Sequence, residues 1–477
     1  MSKLPDIQTQ FAEWYQEIIT QAELIDASPT KGCFVFRPYS YAIWENIQRE
    51  LDAKIKAMGV QNAYFPLLIP ESFLKKEAKH IEGFSPELAV VTIGGGKQLE
   101  EPLVVRPTSE TIIYHMFARW ITSWRDLPMC INQWANVVRW EMRTRPFVRS
   151  LEFLWQEGHT AHRTHEEAVA MAEQALAAYK SIYEDYLAVP AIVGMKSENE
   201  RFAGAERTYT IEGLMQDGKA LQMCTSHVLA HSFPASFDMK YQDSEGNTQV
   251  PHCTSWGFTT RSIGAVIMTH GDANGLVMPP RIAPIQAVII PIIKADQDSA
   301  SLLEKVAQIK RDLESQGIRV KVDDDPSTTP GAKFFHWELR GVPVRIELGP
   351  KDLANDSVVL VNRTESDKAL KKTVVAIGAL KTALPELLQT IQRNLLQRAW
   401  QRVQSQWYHA DMLSEFGPKL DANNGLYQTG WCGAAACEEK MKAYKGTIRC
   451  LRDEQRHPKC CVCAQDSKHD VLVAKAY

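Results

Sequence analysis

A β-hairpin with an unusual mixture of side chains is the feature that most constrains this sequence. Two short apolar segments, 136–141 and 150–157, flank a turn that is rich in arginine. Charged and bulky residues alternate in both segments, which is the period of a β-strand. The alternation would place Arg139 and Glu141 on one face of the first strand, and Glu152, Leu154 and Gln156 on one face of the second. The hairpin therefore predicts a polar face that binds an anionic, hydrogen-bonding ligand.

A solvated surface hairpin is the competing interpretation, because charges on a lone strand pair usually face water. The same hairpin also contains Phe153, Trp155 and His159, which a solvated face does not need. We therefore favour a binding site on the hairpin over a plain surface.

The length and composition indicate an ordinary globular protein of several domains. Of its 477 residues, 45% are hydrophobic and 23% are charged, and a chain of this length is expected to form roughly two to four domains. Residues 1–6 show no secretory signal, and the longest apolar runs, such as 287–293, are too short to span a membrane. We therefore expect a cytoplasmic location and no membrane partner. The net charge of −3 gives no overall sign of nucleic-acid binding and does not suggest DNA, so any such surface must be local.

The N-terminal part of the chain predicts helices followed by a strand. Residues 7–27 and 41–58 place apolar side chains at helical spacing, and Gly59 follows as a helix-ending residue that tolerates a positive φ. Residues 62–70 predict a strand that cannot be central over its whole length, because its two prolines lack a donor for the ladder, and an edge strand is one interpretation. Three glycines at 94–96 predict a flexible loop.

A helix is predicted to begin close to Thr108 and Glu110, after a short strand at 103–106. In one interpretation Thr108 is only the N-cap and Glu110 only a first-turn acid favoured by the helix dipole. The competing interpretation is a role in ligand binding, which a family resemblance implies and which is compatible with the cap.

The second half of the chain changes its pattern. Prolines 279, 280 and 284 mark the end of a first domain. From 287 to 361, strand-length apolar segments alternate with helical spacing, which favours a small α/β sheet domain. The polar segment 329–338 between its strands is of a kind that usually faces solvent.

Four of the ten cysteines form two spaced pairs near the C-terminus, Cys432 with Cys437 and Cys460 with Cys463. Paired thiolates at such spacing predict a tetrahedral structural Zn²⁺ site. Cys450, His457 and Cys461 are alternative ligands, and a set of free thiols is the competing interpretation. The absence of a visible signal peptide argues against disulfides.

Several of these stretches resemble class II aminoacyl-tRNA synthetases. The hairpin resembles motif 2, and its wording NVVRWE followed by EFLWQEGH is similar to prolyl-tRNA synthetases of the archaeal and eukaryotic type. Residues 62–70 resemble motif 1, which forms the homodimer interface in that family. Residues 254–264 and the following helix resemble motif 3.

The resemblance implies an α+β architecture of three parts. These are a class II catalytic domain with an antiparallel sheet at 1–282, an α/β anticodon-binding domain at 283–385 and a small zinc-binding domain at 386–477. Too few residues separate the hairpin from residue 251 for the editing insertion of some bacterial relatives, so cis-editing is not expected. In relatives the C-terminal tail packs back toward the catalytic domain, although nothing in this sequence requires it.

The implied activity is the ATP-dependent attachment of L-proline to tRNA(Pro) through prolyl-adenylate, with Mg²⁺ accompanying ATP. Arg139 and Arg261 are the implied catalytic residues. The implied proline pocket comprises Phe84, Thr108, Glu110, Trp155, Phe202, His227, Ser255 and Trp256. The implied ATP site comprises Arg139, Glu141, Arg149, Phe153, Gln222, Thr225, Thr259 and Arg261. The implied anticodon contacts are Glu338, Arg345 and Lys351, whose donors and acceptors suit guanine.

Some features leave alternatives open. A lone histidine such as His227 is more often structural, although its position near Gln222 and Thr225 favours a site role. Met223 and Cys224 replace the small residues usual in the family, and Cys224 can alter ATP affinity. A class II synthetase of another specificity and a catalytically silent tRNA-binding paralogue remain alternative functions.

Overall fold

Alternating polar and apolar residues build a long, mostly antiparallel sheet that organises most of the molecule. The structure is a computed structural model that describes residues 3–75, 88–293, 299–422 and 425–477. Its strands, in chain order, are β1 Ile25–Ala27, β2 Phe34–Phe36, β3 Gln61–Asn62, β4 Leu68–Pro70, β5 Ala89–Gly94, β6 Lys97–Val105, β7 Met129–Val138, β8 Glu152–His162, β9 Ile192–Met195, β10 Ala205–Leu214, β11 Ala220–Leu229, β12 Tyr241–Gln242, β13 Thr248–Gln249, β14 His252–Thr259, β15 Ala287–Pro291, β16 Val320–Val322, β17 Val344–Leu348, β18 Ser357–Asn362, β19 Lys372–Ala376, β20 Trp407–His409, β21 Leu426–Trp431, β22 Thr447–Arg452 and β23 His469–Ala474.

The helices lie between these strands. In chain order they are α1 Phe11–Gln21, α2 Pro38–Ala57, α3 Glu71–Lys75, α4 Glu110–Trp120, α5 His165–Ser181, α6 Ser232–Ser236, α7 Arg261–His270, α8 Ala300–Glu314, α9 Pro330–Leu339, α10 Pro350–Ala354, α11 Lys368–Lys371, α12 Leu380–Ser405, α13 Leu413–Ala422 and α14 Ala435–Lys442. Short 3₁₀ turns occupy Trp124–Asp126 and Ile377–Ala379, and one π-helical turn, Ile182–Tyr186, continues α5. Among the described residues, no helix is both long and apolar enough to cross a membrane.

The large sheet has eleven strands in the order β20-β21-β23-β22-β9-β10-β11-β14-β8-β7-β3. Helices α2 and α5 cover one face of its central strands, where Ala172 and Tyr179 of α5 and Ile47 of α2 are buried in the same core as Trp256 and Phe258. The opposite side of the central strands carries polar side chains and is left open to a cavity, described below.

The hairpin predicted at 136–157, called the central hairpin below, consists of β7 and β8, which pair from Met129 with Ala161 to Val138 with Glu152. One detail of the prediction was wrong, because β7 ends at Val138. Arg139 and Glu141 lie in the connecting turn and not on a strand face. The N–H of Arg139 still donates to the carbonyl of Leu151 (2.8 Å), but the N–H of Leu151 donates to Gly32 (3.0 Å), so the ladder goes no further.

Two N-terminal predictions also need correction. The strand predicted at 62–70 is two short strands, β3 and β4, which pair with different partners on either side of Pro66. The glycines predicted as a flexible loop form the tight turn of the β5–β6 hairpin, where Gly95 and Gly96 adopt positive φ values of 58° and 77°. The two predicted N-terminal helices and the helix-ending Gly59 (φ 81°) are present as α1 and α2.

The predicted α/β sheet domain is a mixed sheet of five strands in the order β16-β15-β17-β18-β19. Helix α12 then runs 26 residues from this domain to the C-terminal part, so the boundary expected between residues 385 and 386 falls inside a helix. The C-terminal strands do not form a sheet of their own. Strand β22 pairs with β9 through Leu451 and Met195, which joins the C-terminal strands to the eleven-stranded sheet.

Candidate active site

One cavity of about 240 Å³ lies against β8, β11 and β14 and the turn of the central hairpin. Strand β8 lines it with every second residue, from Phe153 to His159, as the period of a strand requires. The prediction that Glu152, Leu154 and Gln156 form the ligand face of this strand was therefore wrong. All the described residues expected to bind proline or ATP line this cavity: Thr108, Glu110, Arg139, Glu141, Arg149, Phe153, Trp155, Phe202, Gln222, Thr225, His227, Ser255, Trp256, Thr259 and Arg261. The remaining expected residue, Phe84, lies outside the described residues.

An acidic, hydrogen-bonded group occupies one end of the cavity. The hydroxyl of Thr108 donates to the carboxylate of Glu110, and both side chains are buried. The N-cap of α4 is Ser109 rather than Thr108, so that part of the prediction was wrong. The Ser109 side chain does not cap the helix, because its hydroxyl donates to Glu157 instead (2.5 Å).

Glu157 organises this acidic end, although no pattern in the sequence pointed directly to its role. Its carboxylate accepts from Gln133 (2.6 Å) and from the backbone N–H of Ser109 (3.2 Å). It also lies 2.9 Å from Nε2 of His159. Burial alone lowers the pKa of His159, but the hydrogen bond and charge of Glu157 outweigh burial, so the net shift is upward. His159 therefore stabilises Glu157, the carboxylate that connects the buried side chains at this end of the cavity.

Arginine side chains occupy the other end, and aromatic rings and carbonyl oxygens hold them. Arg139 donates through Nε to the carbonyl of Pro107 (3.0 Å). Its guanidinium carbon lies 5.5 Å from the ring centres of both Phe153 and Trp155. Nε of Arg149 lies 3.6 Å from Glu141 in the turn of the hairpin.

Arg261 approaches the same end from the first turn of α7. It donates to the carbonyls of Val148 (2.9 Å) and Gln222 (3.0 Å). Burial and the nearby charges of Arg139 and Arg149 lower the pKa of Arg261 to about 10. Since this value is well above neutral pH, the side chain remains positively charged. This end therefore attracts a multiply charged anion such as a polyphosphate.

Aromatic rings form the wall between the two ends. The ring of Phe202 stacks on His227, with centroids 4.5 Å apart. His227 hydrogen-bonds through Nδ1 to Thr208 and through Nε2 to Thr225, each at 3.0 Å. This histidine is therefore oriented in the cavity wall rather than embedded in the core.

Trp256 depends on a glycine in the neighbouring strand. The Trp256 ring passes directly over Gly158, where an added Cβ would lie only 2.2 Å from the ring.

Among the described residues, Ser255 Oγ and Trp155 Nε1 have no protein hydrogen-bond partner although both are buried. Buried polar atoms in a cavity wall are available to a ligand.

The segment 196–204 contributes two charged residues that sequence reasoning missed, Lys196 and Glu200. Lys196 forms a buried ion pair with Glu212 (2.7 Å), and Glu212 also accepts from Arg449 of the C-terminal part (3.0 Å through Nε). Burial alone raises the pKa of Glu212, but Arg449 and Lys196 together lower it below its usual value. The dense charges of this segment were a signal, but their partners lie too far away in the chain to be predicted.

Family models match most of this architecture. A tRNA synthetase class II core domain (G, H, P, S and T) matches residues 92–270. An anticodon binding domain matches residues 286–387, and a prolyl-tRNA synthetase C-terminal domain matches residues 413–477.

Individual relatives match the full length of the chain. The proline–tRNA ligase of Acetoanaerobium sticklandii is 49% identical over 99% of this chain and 98% of its own length. Proline–tRNA ligase 2 of Clostridioides difficile is 48% identical over 100% of this chain and 98% of its own. The crystal structure of prolyl-tRNA synthetase from Cryptosporidium parvum complexed with L-proline and AMP has a TM-score of 0.93 and 41% identity, and covers 100% of this chain and 99% of its own.

The chain belongs to the prolyl-tRNA synthetase family. The resemblance inferred from the motifs is therefore confirmed, together with the class II fold. In the described range 163–251 of this synthetase, the chain forms α5, the π-helical turn, β9–β11, α6 and the β12–β13 hairpin. This range connects the central hairpin to β14 without any further domain.

The C-terminal tail of the synthetase packs onto the catalytic sheet. The N–H of Tyr477 donates to the carbonyl of Ala220 (3.1 Å), and the N–H of Ala220 donates to Lys475 (2.8 Å). The Tyr477 ring lies 5.1 Å from the guanidinium carbon of Arg145, which belongs to the turn of the hairpin. The tail thus restrains the hairpin beside the cavity.

The residues expected at the anticodon divide into two groups. Glu338 and Arg345 line one small cavity of the second sheet, where Lys371 pairs with Glu338 (3.2 Å). Arg345 also lies over the Phe334 ring at 4.0 Å. Lys351 lies on α10 and does not line this cavity, whose remaining charged residue is Arg363.

The four cysteines predicted as metal ligands converge in the C-terminal part of the synthetase. Their sulfur atoms all lie within 4.8 Å of one another, and Cys432 lies 3.7 Å from both Cys437 and Cys463. A tetrahedral zinc ion with Zn–S distances of about 2.3 Å separates its sulfurs by about 3.8 Å. The donor set therefore fits zinc. The alternatives Cys450, His457 and Cys461 lie outside this group.

Proposed function

We propose that this cavity joins L-proline to ATP as prolyl-adenylate and then transfers the prolyl group to tRNA(Pro). One observation carries the proposal: a single cavity holds a buried carboxylate, an aromatic wall and a cluster of arginines. The carboxylate suits the amine of proline, the wall suits its ring, and the arginines suit the phosphates of ATP. We place the reaction in the cytoplasm.

Proline is small, rigid and apolar, so its pocket needs a wall rather than many polar contacts. Glu110 and Thr108 accept the two hydrogens of the ammonium group. Trp155 and Phe202 enclose the ring, His227 supports Phe202 by stacking, and Trp256 backs this wall from the helix-covered face of the sheet. Ser255 faces the same pocket, and Phe84 completes the set by resemblance. Apolar contacts discriminate by only about 1–3 kcal/mol per methylene group, so alanine is the main competing substrate.

The activation step depends on positioning and on positive charge. The carboxylate of proline is already an anion, so it attacks the α-phosphorus without a general base and expels pyrophosphate. Arg139 contacts the α-phosphate, Arg149 the pyrophosphate, and Arg261 stabilises the charge from the other side. These three side chains therefore supply most of the catalysis.

The nucleotide is held beside these arginines. Phe153 stacks the adenine against Arg261, while Gln222, Thr225 and Thr259 hydrogen-bond to the nucleotide. Glu141 would help hold Mg²⁺, which when bound neutralises phosphate charge. ATP is thus fixed by aromatic, polar and charged groups.

Recognition of tRNA uses the second sheet. Glu338 and Arg345 face a common cavity and match the amino donor and the acceptors of guanine. Lys351 would contact the anticodon from α10.

The four clustered cysteines would hold a structural Zn²⁺ that stabilises the C-terminal part. We also propose a homodimer, with residues 62–70 at its interface.

Amino-acid-dependent pyrophosphate exchange tests the proposed reaction. Proline, alanine, cysteine and threonine are compared in a folded, zinc-loaded sample, and exchange is expected to be fastest with proline. Exchange that is faster with another amino acid would instead indicate a different specificity. A sample that binds tRNA without any exchange would indicate a catalytically silent paralogue.

A further inference from the structure

The segment 197–204 carries part of the amino-acid side of the cavity, including Glu200 and Phe202. It connects β9 to β10 without a helix or strand of its own. Phe202 fixes its far end by donating its N–H to Thr208 (3.1 Å) and by stacking on His227. The near end has a different anchor.

That anchor is Glu438, which lies more than 230 residues away on α14. The carboxylate accepts from the hydroxyl of Ser197 through one oxygen (2.9 Å) and from the amide of Asn199 through the other (2.8 Å). Glu438 is 2% exposed and Ser197 is 1% exposed. A buried carboxylate whose two oxygens accept from two residues of one short segment fixes the path of that segment.

Glu438 directly follows Cys437, one of the four clustered cysteines. Both residues are in the first half of the eight-residue helix α14 and are buried on it. The backbone position of Glu438 therefore depends on how Cys437 is held. The link runs from Cys437 to the adjoining Glu438, through its two hydrogen bonds to Ser197 and Asn199, and then along the backbone to Phe202 in the cavity wall.

We propose that Glu438 is a positioning residue for the amino-acid side of the cavity, and that through it the cysteine cluster sets the affinity for proline. Glu438 does not line the cavity and acts only through the segment 197–204. The phosphate side is built from other elements, so binding of ATP does not depend on this link. The proposal rests on the proposed function, because proline is the ligand whose affinity is measured.

The first test replaces Glu438 and measures KM separately for the two substrates in pyrophosphate exchange. Glu438→Ala is expected to raise KM for proline by about tenfold, which corresponds to the loss of roughly one hydrogen bond to a charged group. KM for ATP is expected to change by less than about twofold. Glu438→Gln keeps one acceptor for Ser197 and can donate to a reoriented Asn199 amide, so it is expected to recover most of the affinity.

Glu439→Ala is the matched control, because this neighbouring glutamate is on the same helix, its side chain is 71% exposed and it pairs with Lys442 at the surface. It is expected to leave both KM values unchanged.

A second readout follows the segment itself, where trypsin can cut after Arg201. Cleavage there is expected to be faster in Glu438→Ala than in wild type or Glu439→Ala.

The cysteine cluster is tested by the same measurements. Removal of zinc with a chelator is expected to raise KM for proline and to speed cleavage after Arg201, as Glu438→Ala does. In Glu438→Ala itself, the chelator is expected to add little to either effect, because the link is already broken. Equal additional effects in wild type and Glu438→Ala would contradict coupling through Glu438.

Other outcomes separate the possible failures. If Glu438→Ala does not fold, Ser197→Ala combined with Asn199→Ala removes the same contacts from the other side and is expected to raise KM for proline alone. An unchanged KM for proline in a folded variant overturns the proposal, as does a parallel rise in both KM values. Wild-type protein without proline-dependent exchange would overturn the proposed function instead.

Discussion

The two ends of the cavity are held in different ways, although they share the strand β8. Backbone carbonyls hold Arg261 at the phosphate end, and a carbonyl is a neutral partner that leaves the positive charge of the arginine in place. Side chains hold the amino-acid end, where Glu157 links Ser109, Gln133 and His159 in one buried network. The phosphate end therefore offers several positive charges, whereas the amino-acid end offers a buried carboxylate in an apolar pocket of defined shape. We expect substitutions at the first to affect turnover and substitutions at the second to affect proline affinity.

The largest expected effect is on stability and concerns the buried charges below the amino-acid end. Arg449→Met leaves Glu212 with Lys196 as its remaining buried cation. Breaking a buried ion pair in this way costs about 3–5 kcal/mol. Urea unfolding should show a midpoint decrease of corresponding size. A loss below about 1 kcal/mol would mean that Lys196 alone compensates Glu212.

Arg139→Ala should have the largest effect on catalysis. Loss of a cation that stabilises the transition state is expected to lower kcat of pyrophosphate exchange by about 10²–10³-fold. KM for proline should change little, because Arg139 belongs to the phosphate end. Binding of tRNA, measured by filter retention, should remain. Activity that survives the substitution would contradict the role assigned to the hairpin.

Gly158→Ala should affect the binding of proline rather than turnover. The new Cβ would meet the Trp256 ring at 2.2 Å, so the ring must move, and with it β14, which carries the cavity-lining Ser255. We expect KM for proline to rise by at least about tenfold, the size of a methylene-scale misfit, while KM for ATP stays similar. Gly331→Ala is a suitable control, because a Cβ added at Gly331 would have no atom within 4 Å. A normal proline KM in Gly158→Ala would show that Trp256 does not support the proline pocket.

Acid should weaken the same buried network. The pKa of Glu212 is lower in the folded state than its unfolded value of about 4.3, so the unfolded state binds more protons. Its stabilising contribution is therefore fully present above about pH 4.3 and is lost as pH falls through the folded pKa. Unfolding free energy measured against pH should show this loss. Glu212→Gln should remove that part of the pH dependence.

The smallest expected effect is that of Cys224→Ala. Cys224 lines the cavity, and burial together with the charge of Glu212 raises its pKa, so the thiol is neutral at physiological pH. A neutral thiol contributes little to phosphate binding, and alanine is a neutral side chain of similar size. KM for ATP should change by less than about threefold. A larger change would show that the nucleotide packs directly on this sulfur.

The sequence alone determined the local features of this protein. Strand period and turn residues are local properties, so they predicted the β7–β8 hairpin, and helical spacing predicted α1 and α2. Cysteine spacing predicted the four thiols that converge. The family motifs identified the described residues that were expected to line the cavity. This was possible because residues that bind the same ligand are grouped in short stretches of sequence.

Tertiary structure decided what lies far apart in the chain. The pairing of β22 with β9 and the contacts of Glu438 with Ser197 and Asn199 depend on how the C-terminal part docks. No local pattern encodes that docking, since a strand edge and a buried carboxylate can accept many partners. For the same reason Lys371, rather than Lys351, was found beside Glu338. The sequence thus identified the chemical groups of the cavity, and long-range packing decided which of them support one another.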